Sequence, residues 1–472
     1  MAQDRRRWTG LAVLLVAEAM NLLDATIVQV AGPVIHGDLV GPVADIQWFS
    51  AAFTWPFAVL LIVGGRLGDA VGRRRLLRIG MAGFVLASTW CAVAGSAGEL
   101  ITARAVQGSA AAMLIPQTIG LIRRMFSGPE LPRALGTIGP VMGLTALCGP
   151  PLGGLLTHAD LFGWSWRAVF LVNVPLGTAV WFAARLLPED RSERAPRLDP
   201  GGTALVALGV GLLVYPVIGG GCWWMLAAGV VVLALFAATQ RWAARSGRPV
   251  LVEPSLFEGT GFGAALVTSA LFFAVSTGVM LVVVLQVQLG LGADTGTAGL
   301  SVLPWTGSMA LASWVAGSRL IPRYGAGVMF AGLGVLLLGL VAAIGCYLGM
   351  PAALPVALLI VGWGVGLFAP AFFSSALHQV RPHEVGSAAG LLNAVQQFGA
   401  TLGVAVLGGV FLHALPVWTS GAGVSAALAC AVAIVLVALV GVTSAIQVRG
   451  TLLDGSRRSG QRSVRAANRS VK

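Results

Sequence analysis

The chain has 472 residues, of which 57% are hydrophobic and only 10% charged, with a net charge of +12 and a mean hydropathy of +0.87. A soluble globular chain carries about 25% charged residues, so a water-exposed fold is excluded and an all-α integral membrane protein is implied. The positive balance is no nucleic-acid signal here, because basic loops on one side of a membrane and attraction to anionic lipid already account for it.

Fourteen apolar runs reach the roughly 20 residues that a helix needs to cross a bilayer. They cover 8–31, 46–65, 76–97, 100–122, 134–157, 167–187, 200–219, 222–241, 261–290, 298–318, 327–348, 352–377, 386–413 and 422–447. With no water in hydrocarbon to satisfy loose backbone groups, each is expected to be helical. The first run is too long for the apolar core of a cleaved signal peptide and carries Glu18, Asn21, Asp24 and Gln29. At 100° per residue, Asp24 lies about 60° from Asn21 and about 120° from Glu18, while Gln29 returns to about 20° from Glu18. These four form a polar wedge expected to face a cavity rather than lipid.

The second run carries Trp48, Phe53 and Trp55, and ends in Gly65-Arg66-Leu67-Gly68-Asp69-Ala70-Val71-Gly72-Arg73-Arg74-Arg75. This short, charged, glycine-pinned connection suits a gate at the end of two helices. Arg104 lies inside the fourth run, and the fifth holds Gly149, Pro150, Gly153 and Gly154, expected to interrupt that helix and let another approach closely. Gln286 and Gln288 fall in the ninth run, Trp305 in the tenth, and Asn393, Gln396 and Gln397 in the thirteenth. The five cysteines show no metal-type spacing and read as packing residues, and the histidines sit near helix ends.

Lys and Arg near span ends mark the cytoplasmic side. With the N-terminus placed there, all but two of the 30 basic residues fall in alternate connections; the exceptions are Arg104 and Arg167. A miscounted span would flip every later loop, and no flip occurs. Both termini are therefore expected to be cytoplasmic. Polar breaks at Pro188–Arg197 and 241–254 divide the spans as six, two and six. Gly317-Ser-Arg319-Leu-Ile-Pro-Arg323-Tyr-Gly325 occupies in the last six the loop that Gly65–Gly72 occupies in the first, a weak internal repeat. The expected organisation is a six-helix bundle over 1–188, two linking spans within 189–258, a second six-helix bundle over 259–448 and a basic tail over 449–472. Two such bundles about a midplane site are the architecture of many secondary transporters.

Gly65 to Leu76 resembles the loop signature of the major facilitator superfamily. Leu23-Asp-Ala-Thr-Ile-Val-Gln-Val-Ala-Gly-Pro33, Arg104-Ala-Val-Gln-Gly108, Gly149-Pro-Pro-Leu-Gly-Gly154 and Trp166-Arg-Ala-Val-Phe-Leu-Val-Asn-Val-Pro-Leu-Gly177 resemble its fourteen-helix drug:proton antiporter branch. The resemblance runs end to end and departs at Gln29, Gly32, Phe53 and Thr145, none a charged position. It implies that Arg104 belongs to a motif linked to proton transfer, Asp24 to the first-helix motif, and Gly149–Gly154 to the antiporter motif. It also points to the thirteenth helix, near Gly386, as the partner that Asp69 meets when the cytoplasmic side is latched, with Gly65, Gly72, Arg73 and Arg74 completing that gate.

An ionisable side chain inside a bilayer is costly and is read first as functional. Burial opposes a carboxylate's charge and a nearby cation favours it, so Asp24 beside Arg104 is the expected proton-coupling pair, with Glu18 a second carboxyl. A permanent structural ion pair stands as the alternative. Asn21, Gln29, Trp48, Phe53, Trp55, Gln286, Gln288, Trp305, Asn393 and Gln397 are candidate cavity residues, an aromatic and amide lining suited to a small amphipathic drug-like substrate; packing is the competing role for each tryptophan. With no acidic residue in the later spans, neutral or monocationic compounds are expected over dications. No phosphate-binding loop is possible where the only lysine is Lys472, and no nucleophile, metal or cofactor cluster appears. The expectation is a monomeric exporter in a bacterial plasma membrane, driven by the proton-motive force. A metabolite importer and, less favoured, a membrane sensor remain as alternatives.

Overall fold

The computed structural model describes residues 2–160, 163–191, 198–257, 260–378, 380–381, 384–414 and 422–470. Among these residues thirteen helices are long and apolar enough to cross a membrane. They are α1 (Ala2–Leu39), α2 (Asp45–Val71), α3 (Arg73–Val93), α4 (Ala97–Met125), α5 (Arg133–His158), α6 (Ser165–Leu186), α7 (Pro200–Gly219), α8 (Trp224–Arg245), α9 (Gly261–Gly290), α11 (Gly327–Leu348), α12 (Pro351–His378), α13 (Val385–Ala414) and α14 (Ala422–Ser470). Between α9 and α11, α10 is built from consecutive shorter helices, Thr295–Ser301, Leu303–Val315, Ala316–Leu320 and Ile321–Tyr324. Pro304 and Pro322 stand at the starts of two of those pieces, where their missing N–H does least harm. The same reasoning explains the turn at Met113-Leu114 in α4, after which helix resumes at Ile115 with Pro116 in its first turn.

Pro150 and Pro151 do not break α5, contrary to expectation: helix is continuous over Ile138–His158. Of the polar break after α6, residues 192–197 lie outside the described residues, as do His383 and Val471-Lys472 at the end of the tail.

Apolar side chains segregate into several cores. One, from α9, α11, α12, α13 and α14, contains Phe272, Leu333, Val361, Leu392 and Val437. Two others are built mainly by α1, α2, α3, α4 and α6, around Phe84 and Leu121 in one and Phe49 and Trp166 in the other. A smaller cluster joins α2, α7 and α13 through Ala51, Val210, Val214 and Ala405. Between these cores and the rim, large apolar residues such as Leu86, Val231, Leu338 and Val435 stay exposed, as a surface solvated by lipid tails requires. α8 packs chiefly on α7 and buries little besides Gly229 and Gln240.

Candidate functional site

Asp24, in the middle of α1, is completely buried and lies against Arg104 of α4, itself 1% exposed. Arg104 Nη1 donates to Asp24 Oδ2 at 2.5 Å and to Gln107 Oε1 at 2.6 Å, while its Nε donates to the Phe49 carbonyl at 3.0 Å. The other carboxylate oxygen, Asp24 Oδ1, accepts from Gln107 Nε2 at 2.8 Å and Asn173 Nδ2 at 2.7 Å. Ser88 of α3 closes the cage by accepting from Gln107 at 2.7 Å. Phe53 and Phe170 lie against the guanidinium, their ring centres 4.4 and 5.7 Å from Arg104 Cζ. Four spans thus converge on one carboxylate, and each buried polar group is matched, as a low-dielectric interior demands.

The helical spacing of the α1 wedge is the reason Glu18 and Asn21 share this interior. Glu18 is 8% exposed and meets the Thr118 hydroxyl of α4. Asn21 is equally enclosed, and its Oδ1 has no hydrogen-bond partner. The wedge turns away from lipid, as expected, but into helix packing rather than a cavity. Gln29 is half-buried.

A cavity of about 730 Å³ lies at the arginine-rich end of the molecule. Leu61, Ile62, Gly65, Arg66 and Asp69 of α2 line one wall, and Val385, Ser387, Gly390 and Asn393 of α13 another. Arg124, also in the lining, has a side chain 62% exposed, so the cavity reaches the surface there. Of the ten candidate cavity residues, only Asn393 lines it. Trp48 and Trp55 point instead to α7: the Trp48 ring lies 6.0 Å from Tyr215, and Trp55 Nε1 donates to the Ala207 carbonyl at 3.2 Å. Phe53 packs beneath Arg104, and Trp305 is 2% exposed in the later core. Gln286 is buried near Gly290, Gln288 Nε2 donates to the Val30 carbonyl at 2.8 Å, and the Gln397 carbonyl accepts from Thr401. Sequence cannot tell which face of a helix meets a neighbour and which meets solvent, and these corrections follow from that.

Asp69 pairs here with Arg73 at 2.6 Å, and the cavity separates it from α13, as the unlatched form of the expected gate would leave it. Arg73 also reaches Asp190 at 3.2 Å, and Arg74 holds Glu189, whose Oε1 accepts from the Arg74 backbone N–H at 3.1 Å. Gly72 makes the turn between α2 and α3 at φ +111°, and a side chain there would strike Glu189. The loop signature is therefore closed on the segment after α6, and the latch to α13 is open.

At the opposite end the two sets of six spans are in contact. A side chain at Gly154 would collide with the Thr295 carbonyl, and one at Gly299 with that of Pro150, so α5 and α10 touch backbone to backbone. Gly149 and Gly153 give the same close fit against Thr26 and Ile27 of α1. The structure is thus sealed at one end and open at the arginine-rich end. Gln107 and Asn173, the amide donors to Asp24, stand inside Arg104–Gly108 and Trp166–Gly177; being neutral, they carry a weaker burial signal in sequence than Arg104.

Residues 14–317 match the family model described as Major Facilitator Superfamily. The chain is 40% identical over 423 residues to a probable actinorhodin transporter of Streptomyces coelicolor, covering 87% of this chain and 73% of the relative. It is 34% identical over 440 residues to a puromycin resistance protein of Streptomyces alboniger, covering 90% and 86%. A tetracenomycin C resistance and export protein of Streptomyces glaucescens is 32% identical over 422 residues, with 85% and 76% covered. Among solved structures, a bacterial homologue of the human lysosomal transporter Spinster, described as inward-facing and unoccupied, superposes with a TM-score of 0.66 at 15% identity, over 94% of this chain and 97% of the other. That likeness speaks to the fold.

Proposed function

The chain belongs to the major facilitator superfamily, a family of transporters and not of enzymes, and from that premise we propose that it exports drug-like or antibiotic molecules in exchange for protons. The arginine-rich face, with both termini, lies in the cytoplasm of a bacterial plasma membrane, following the rule that short basic loops stay inside. The relatives named for antibiotic transport, resistance and export support the direction and the substrate class.

The observation that carries the coupling is the Asp24–Arg104 cage. While Asp24 is ionised, its two oxygens tie α1 to α4 and α6. A proton arriving at Asp24 removes the charge that compensates Arg104. A buried cation left alone costs several kcal/mol, and moving α1 relative to α4 and α6 relieves it. The proton is taken up while the end sealed here stands open, and the two six-span sets then rock about the midplane to close that end and open the arginine-rich one, where the proton leaves inward and the ionised cage re-forms. Each proton moving inward supplies about 2.3 kcal/mol per 100 mV and about 1.4 kcal/mol per pH unit. Neither carboxyl of the wedge lines the cavity, whose acids Asp69, Asp190 and Glu253 stand among four arginines. Uncharged or singly charged amphipathic compounds fit that lining better than dications.

Everted vesicles energised to an acidic interior, with a pH-sensitive dye and a panel of antibiotics, test the reading. Substrate-dependent alkalinisation is expected with the unmodified chain and absent with Asp24→Asn. Equal responses from both would remove Asp24 from the mechanism.

A further inference from the structure

The sealed end of the molecule is held by more than close packing. Gln47, on α2, is 1% exposed, and its Nε2 donates to two successive carbonyls of α13, Val404 at 2.8 Å and Ala405 at 3.0 Å. A helix-interior carbonyl already has its own backbone donor and can accept a second bond through its other lone pair, so the amide adds to α13 without unwinding it. The receiving surface is notched: any side chain at Gly408 would lie 2.7 Å from Gln47 Nε2. Two turns along α2, the Thr54 and Thr401 hydroxyls meet at 2.6 Å across the same seam.

This joint is dry. α7 lies along it, packing Val206, Val210, Val214 and Val217 against Ala51 of α2 and Leu402 and Ala405 of α13. Trp48 and Trp55 fasten α7 to α2 on either side of Ala51. With water kept away, hydrogen bonds across the seam are stronger than at a wet surface. They also join α2 of the first six spans to α13 of the last six, so they exist only while this end is shut.

We propose that Gln47 is a positioning residue of the transport cycle, the pin whose bonds to α13 set how readily the sealed end opens. The inference rests on the alternating-access reading above and concerns a residue outside the Asp24 cage. Gln47 touches neither the cavity lining nor Asp24, so it acts through the balance of the two states and not on substrate or proton directly.

The test places spin labels at Val43 and Met350, exposed connections of the sealed end on either side of the seam, after exposed Cys148 and Cys222 are replaced by serine. Pulsed dipolar distances are recorded across pH in the full-length protein. The unmodified chain is expected to show a dominant short distance and a minor long one. Gln47→Leu, which keeps the volume and removes two net hydrogen bonds, should raise the long-to-short ratio about tenfold, and Thr54→Val about threefold. An unchanged ratio in both variants, with thermal unfolding like the parent's, would overturn the pin and leave alternating access standing. A single distance in every variant at every pH would overturn the rocking reading itself, and the pin with it. Should Gln47→Leu fail to fold, Thr54→Val and Gly408→Ala, which crowds the notch, supply the same comparison, and no change in either sinks the proposal.

Discussion

The interiors of the two six-span sets are made of different material. The first encloses a carboxylate, a guanidinium, two amides and a hydroxyl in one matched network around Asp24. At its centre the second encloses a ladder of aromatic rings: Phe272 stacks on Phe368 at 4.1 Å, and Phe368 on Phe372 at 5.7 Å. Its spans α9 to α14 hold no acidic residue up to Arg449, since Asp294 lies between helices and Glu384 just before α13. A charge network has alternative arrangements that a proton can select between. Packed rings have one, since displacing them forfeits dispersion contacts without any ligand to compensate. On the proposed mechanism, the first set is where coupling resides and the second is the body against which it moves.

That division can be broken most directly at Arg104. Arg104→Ala leaves Asp24 buried without its cation, and should cost about 3–5 kcal/mol of stability and all coupled transport, read by thermal unfolding in detergent and by dye-based vesicle assays. Retained proton coupling in a folded Arg104→Ala protein would overturn the division. Phe368→Ala in the ring ladder should cost a similar but cavity-limited amount, about 3–4 kcal/mol, while the ratio of protons moved to substrate moved stays as in the parent; a changed ratio would show that the second set also carries coupling. Gln107→Leu sharpens the picture, because it removes one donor to Asp24 and one acceptor for Arg104 without altering formal charge. A loss of about 1–3 kcal/mol is expected, together with a displaced pH profile of transport.

The smallest effect belongs to the sealed end. Asp294 caps the first piece of α10, accepting from the Thr297 backbone N–H at 3.0 Å and its hydroxyl at 2.8 Å, and it faces His158 at 3.3 Å. Those Thr297 donors, with His158 adding to them, hold the Asp294 carboxyl below the usual carboxylate range. A carboxyl lowered in the folded state stabilises above its unfolded value and loses that contribution as pH falls through the folded one. Asp294→Ala should therefore destabilise the fold slightly near neutral pH, and the difference between variant and parent unfolding should vanish in acid.

The fold was largely legible because about 20 apolar residues per crossing is a physical requirement. α10 escaped only in its continuity, where Pro304 and Pro322 split it. Asp24 and Arg104 stood out because charge in hydrocarbon is rare, whereas Gln107 and Asn173 are neutral and cheaper to bury. Trp48 and Trp55 illustrate the opposite failure: an aromatic residue in a span reads the same whether it meets a substrate or α7. Asp69 depends on something no sequence fixes, since which end of the molecule is open decides whether α13 stands within its reach, and here the cavity lies between them. The wall that Leu251, Val252 and Leu256 contribute to the cavity was equally hidden. Gln240 of α8 places that segment by accepting from the Leu251 and Val252 N–H groups.

α7 has one more consequence, for molecules that never reach the aqueous mouth. It lies over the seam between α2 and α13, while the seam between α5 and α10 has no such cover among the described residues. To a lipophilic compound diffusing within a leaflet, the protein is thus lopsided, with one flank boarded over and the other bare. A lipid-soluble photoprobe should therefore mark α5 and α10 before it marks α2 and α13.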